Sequence, residues 1–146
     1  MSQVSTEHAN LILRLYDMRR EARLREARQW FGAHYKHILK IEDHDKLCPA
    51  PSEQDASFRM ISTYWDMVAS FVNTGALDAD LFFRSGLELL FVWERLRDVL
   101  PAIRNRRKNP LFLGDLEETA NAMIAWMNAR APEAYSAFSN RVRDLR

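Results

Sequence analysis

One cysteine, four glycines and five prolines in 146 residues leave little of what irregular or disulfide-stapled folds depend on. The lone Cys48 excludes an intramolecular disulfide and suits a reducing compartment, so a cytoplasmic location is expected. Val, Ile and Thr are sparse beside Leu, Ala, Arg and Glu, which together with the scarce Gly and Pro argues for helices against sheets. Charge of one sign is lacking too. Twenty-one basic against twenty acidic residues give a net +1, and no global field directs the chain to nucleic acid or an anionic membrane. Long hydrophobic runs are absent: the most apolar stretch, Leu87 to Trp93, contains Glu88 and falls far short of the roughly twenty residues a membrane span needs. The polar opening from Met1 to His8 lacks the basic-then-apolar pattern of a targeting leader.

What is present describes a folded helical chain. Hydrophobic content of 47% and aromatic content of 11% are those of a globular protein, and 146 residues suffice for one domain, residues 1–146. Ser5 or Thr6 caps a first helix on which Leu11, Leu15, Met18 and Ala22 keep helical spacing, continuing through Gly32 towards Leu39. Its other faces carry arginines interleaved with Asp17, Glu21 and Glu26, and Glu21 and Arg25 form a favourable i,i+4 pair. Cys48-Pro-Ala-Pro-Ser52 is a linker, because its prolines remove amide donors and push their neighbours out of the helical region.

The Phe58–Arg107 stretch then reads as two long apolar helices around the turn from Asn73 to Asp78. Phe58, Ile61, Trp65, Val68 and Val72 share one face of the first, which Ser52 and Asp55 open and Gly75 closes. Asp78 caps the second, whose apolar residues leave only a narrow polar strip of Arg84, Glu88, Arg95 and Asp98, and which Pro101 interrupts or extends as a short continuation through Arg107. A further helix opens at Asp115, and Pro132 begins a last one bearing Tyr135, Phe138, Val142 and Leu145. The expected fold is all-α, an antiparallel bundle of about five helices around this central hairpin.

Tyr64-Trp65-Asp66-Met67-Val68, Gly75-Ala76-Leu77-Asp78, Trp93, the Pro101 to Arg104 stretch and Leu116-Glu117 together resemble the pattern of a bacterial family. That family, a helical domain of unknown function numbered forty-seven sixty, has an aromatic pair with an acid, a glycine turn, a tryptophan helix, a terminal arginine and a further acidic position. The resemblance covers the C-terminal two thirds of the chain. It implies a helical fold and brings no established activity. Many members carry membrane segments ahead of this region, where this chain has its charged first helix.

Four groups of residues are candidates for chemistry. His34 and His37, at i,i+3, can meet one metal ion with His44 as a third ligand, against the plain reading of solvated surface histidines. Arg19, Arg20 and Arg23 with Arg104, Arg106 and Arg107 could track a phosphate backbone, against that of a salt-bridged helix face and a cationic helix end. Glu94 falls among Phe83, Leu87 and Leu90 on the helical wheel, with Arg97 as its ion-pair partner, whereas Glu88 falls on the solvated strip beside Arg84. Met60, Met67, Met123, Met127, Tyr64 and Trp126 serve either as core or as a surface for a partner helix.

No cofactor is called for. The leading expectation is a soluble, non-enzymatic helical interaction or regulatory module with a protein partner, a second copy of itself included. It implies an exposed hydrophobic patch. The alternatives are nucleic-acid binding through the arginines, or a metal or small-molecule site between helices.

Overall fold

Nine helices and no strand occupy residues 4–143, which are those the computed structural model describes. They are α1 (Thr6–Arg19), α2 (Ala22–His34), α3 (Ile41–Leu47), α4 (Glu53–Asn73), α5 (Ala79–Phe83), α6 (Leu87–Leu96), α7 (Leu100–Arg107), α8 (Gly114–Arg130) and α9 (Ala134–Val142). The all-helical expectation holds. Among the described residues, no helix is long and apolar enough to cross a membrane. Leu145, expected on the last helix, lies outside the described residues.

The longest helix, α4, organises the rest. Ser52 Oγ accepts the Asp55 amide at 3.0 Å to start it, and Gly75, at φ +85°, turns the chain after it. Phe58, Ile61, Trp65, Val68 and Val72 are all buried, as their spacing predicts. Trp65 is fully enclosed. Packing is heaviest between α4 and its two neighbours, α2 and α8. Along α1 and α2 the partners run backwards, with Leu15 O of α1 accepting from Tyr64 OH and Arg23 of α2 donating to Ser57 Oγ. Along α8 they run forwards: the Leu116 amide reaches Asp66, and Thr119 Oγ1 donates to Ala69 O and Asn73 Oδ1.

The expected long helices are broken where local chemistry competes with the helix. The first stops at Arg20, because the Glu21 carboxylate turns back to accept the amides of Arg23 and Leu24 at 3.1 and 3.0 Å. Those bonds replace the anticipated Glu21–Arg25 pair and hold the Glu21 carboxyl below its usual range. The second helix of the hairpin is three pieces, α5, α6 and α7; the last is the short continuation expected from Pro101 through Arg107, whereas the division of α5 from α6 was not expected. Gly86 divides α5 from α6, and the Phe82 ring fills the space beside it so closely that a Cβ there would stand 2.5 Å from a ring carbon. Asp115 does not cap α8. Leu113, buried and left-handed at φ +57°, leads into that helix, and Asp115 instead accepts from Asn73 Nδ2. Short α3, with its buried His44, forms beyond Leu39, where no helix was expected before the Cys48 linker.

Arg95 and Glu88 also leave the anticipated solvated strip. Arg95 donates to Gly32 O at the end of α2 (2.8 Å) and to Val142 O of α9 (3.0 Å). Glu88 takes a two-pronged ion pair from Arg28, at 2.7 and 2.9 Å, and accepts from Trp65 Nε1 at 3.2 Å. One carboxylate thus ties α2, α4 and α6 together.

Candidate functional groove

Residues of α4 at helical spacing, Ala56, Arg59, Met60, Thr63, Tyr64 and Met67, form the floor of an open groove of about 780 Å³. Met18, Glu21 and Leu24 wall one side, and Arg107 and Phe112 the other. The floor repeats at 56, 59/60, 63/64 and 67, about three helical turns. Its lining is mainly apolar, and three of its side chains are methionines, unbranched and adaptable in shape. Met18 is 48% exposed, a large value for an apolar side chain bordering a groove.

The polar groups sit at the rim. Arg107 lies over the Phe112 ring, 4.1 Å from its centre, and presents its charge there. Arg59 pairs with Asp55 at 3.2 Å across an exposed turn. The Glu21 carboxylate, although part of the lining, is committed to the α2 amides. The Tyr64 hydroxyl is turned inward to Leu15 O at 2.6 Å, and burial pushes its pKa up to about 12. No proton acceptor or nucleophile is therefore aimed into the groove by these residues.

Elsewhere, His34 and His37 are exposed, whereas His44 is buried against Phe58 and accepts from or donates to Tyr35 OH at 2.9 Å. Among the described residues, no three His, Cys, Asp or Glu side chains converge as metal ligands, so the structure does not bring the three histidines together. Cys48 packs 3.5 Å from His44 Nδ1, but burial raises its thiol to about 12 and its Sγ is turned to His44 O. At neutral pH it is an inert core thiol.

The arginines are drawn into the fold. Arg19 lies between the Tyr16 and Trp65 rings, 5.0 Å from each centre. Arg23 bonds Ser57, Arg104 pairs with Glu117 at 2.8 Å, and Arg106 grips Asp45 through two bonds of 2.7 and 2.8 Å. Arg20 is exposed. The basic residues named from the sequence therefore do not form one continuous phosphate-tracking stripe.

Glu94 is 1% exposed, accepting from Ser139 Oγ (2.5 Å) and Tyr135 OH (3.0 Å) of α9. Arg97 Nε stands 3.7 Å away, an ion-pair distance without a hydrogen bond. The sequence reading named Met60, Met67 and Tyr64 but missed Met18, Leu24 and Phe112. The first two come from helices whose approach to α4 depends on the break at Glu21. Phe112 comes from the connection after α7, which no periodicity marks.

Comparison with curated proteins and with solved structures returned no match. A family model described as "Domain of unknown function (DUF4760)" matches residues 5–126, reaching from the start of α1 into α8 and so wider at the N-terminal end than the resemblance in the sequence. The groove, walled by residues from Met18 to Phe112, lies wholly within that match, and the chain belongs to the DUF4760 family.

Proposed function

We propose that this chain is a non-enzymatic interaction module, whose groove along α4 receives the apolar face of a helix from a partner protein. The groove itself carries the reading: an open, methionine-bordered trough about three helical turns long, with no reactive group directed into it. An extended apolar trough of this shape suits anchors at i, i+3/i+4 and i+7 better than it suits a small ligand, which buries most of its surface in a closed pocket. Arg107, held over the Phe112 ring at the rim, favours acidic residues flanking those anchors, whereas Arg59 is already matched by Asp55. The partner is thus an amphipathic helix with an acidic border.

The setting taken with this reading is a single cytoplasmic domain of a bacterial protein. Its core is a bundle of five helices, α2, α4, α6, α8 and α9, each packed on at least one of the others. Nucleic-acid binding has less support, because Arg104 and Arg106 are matched by Glu117 and Asp45.

Calorimetric titration with synthetic helical peptides tests the reading. A peptide with three apolar anchors and Glu flanks is expected to bind saturably, and its Lys-flanked counterpart at least tenfold more weakly. Met60→Glu in the groove floor should abolish binding while leaving helical circular dichroism intact. Equal binding of both peptides, or binding unaffected by Met60→Glu, would sink the proposal.

A further inference from the structure

Arg107 belongs to two walls. Besides the groove it lines a smaller, more enclosed cavity of about 220 Å³, set between α3, the start of α4 and the end of α7. That volume equals about seven waters at ~30 Å³ each, room for a compact organic molecule. It is too small for a helix, which is about 10 Å across with its side chains. Cys48, Phe58 and Ile103, all buried, give the cavity an apolar floor, and Ile41 packs beside them.

The charges around it are matched in pairs, with one exception. Arg106 holds Asp45 through two bonds of 2.7 and 2.8 Å, and Asp55 is taken by Arg59 at 3.2 Å. Arg107 stacks on the Phe112 ring, and no carboxylate among the described residues pairs with it. A guanidinium stacked on a ring keeps the N–H donors in its own plane available to an anion.

His44, 7% exposed, lines the same cavity. Its Nδ1 is engaged by Tyr35 OH at 2.9 Å, whereas its Nε2 has only the Cys48 sulfur, at 3.6 Å. That sulfur is itself turned to donate to His44 O. With the Tyr35 hydroxyl donating to Nδ1, the neutral ring carries its hydrogen on Nε2. A buried N–H without an oxygen or nitrogen acceptor is unfavourable, so this donor has bonding capacity to spare.

We infer that the cavity is a binding site for a small organic carboxylate with a compact apolar body. Arg107 supplies the counter-charge, His44 Nε2 a donor, and Ile41, Phe58 and Ile103 the apolar wall. An inorganic anion forgoes that wall, and an uncharged molecule forgoes the one unmatched charge. The site does not depend on the groove being a helix receptor, although Arg107 is common to both.

Methyl spectra of the full-length protein labelled at isoleucine test the site with 4-methylpentanoate, its isosteric amide 4-methylpentanamide, and inorganic phosphate. The carboxylate should shift Ile41 and Ile103 together along one saturation curve while Ile12 of α1, outside the cavity lining, stays fixed. It should bind at least tenfold more tightly than the amide or phosphate. Arg107→Gln, at an exposed position, should weaken it at least fivefold with helicity unchanged. Equal affinity for the amide, indifference to Arg107→Gln, or unmoved Ile41 and Ile103 at millimolar carboxylate overturns the inference. Met60→Glu, which blocks the groove floor, should leave carboxylate binding as in wild type, and its loss there would move the ligand into the groove and overturn the inference too. Because peptide binding is read in the groove and carboxylate binding on Ile41 and Ile103, either assignment can fail without the other.

Discussion

Protonating His44 means placing a charge between Tyr35 and Phe58, and burial lowers its pKa below the usual imidazole value. The groups facing it are mixed. Asp45 and Asp55 favour the charged form, Arg106 and Arg107 oppose it, and the raised Tyr35 and Cys48 groups stay neutral. A depressed histidine binds its proton more readily unfolded, so its stabilising effect is present above about pH 6.5 and is lost as the pH falls below that. Wild type should therefore lose more stability in urea between pH 7.5 and 5.5 than His44→Gln does; parallel losses would refute this. At Glu94, Ser139→Ala should cost about 1–3 kcal/mol in urea unfolding by removing a donor to a buried carboxylate. A change under about 0.3 kcal/mol would show the bond to be dispensable. Glu94 was legible because a helical wheel places it among leucines and phenylalanine. His44 was not, because seven residues of α3 are too few for a periodic signal, and its burial comes from Phe58 across the linker.

Helix boundaries tell the same story at the next scale. The α4 face was readable because twenty-one residues repeat one pattern, whereas the break at Gly86 depends on where a single Phe82 ring lands. Gly86→Ala should destabilise by about 1–3 kcal/mol through that clash. Adding Phe82→Leu should recover part of the loss in a double-mutant cycle, and strict additivity would locate the cause elsewhere. The start of α8 was misplaced for a related reason. Its Leu116 amide is received not by a local cap but by Asp66 of α4, a tertiary contact that local sequence does not display. Burial raises the Asp66 carboxyl above its ordinary range, so its ionised form is less favourable in the fold than in the unfolded chain. Asp66→Asn keeps an oxygen acceptor without the buried charge and should match or exceed wild-type stability at pH 7. Asp66→Ala orphans the amide and should cost about 1–2 kcal/mol. The reverse order in denaturant midpoints would contradict this account.

For the whole molecule, near-neutrality conceals an organised distribution of charge. Arg28, Arg104 and Arg106 are spent on Glu88, Glu117 and Asp45, joining elements distant in sequence. The composition announced a folded helical chain, and the net +1 already argued against a basic binding face. It could not announce the groove, which exists only because the chain bends at Glu21 and again after α7, bringing Met18 and Phe112 to opposite sides of α4. The most direct test of that groove observes its own side chains. Methyl spectra of protein labelled at methionine, titrated with the acidic amphipathic peptide, should show Met18, Met60 and Met67 shifting together along one saturation curve. Met123, enclosed in the core, should stay fixed. Binding that leaves those three methyls unmoved, or no binding at millimolar peptide, would contradict the account.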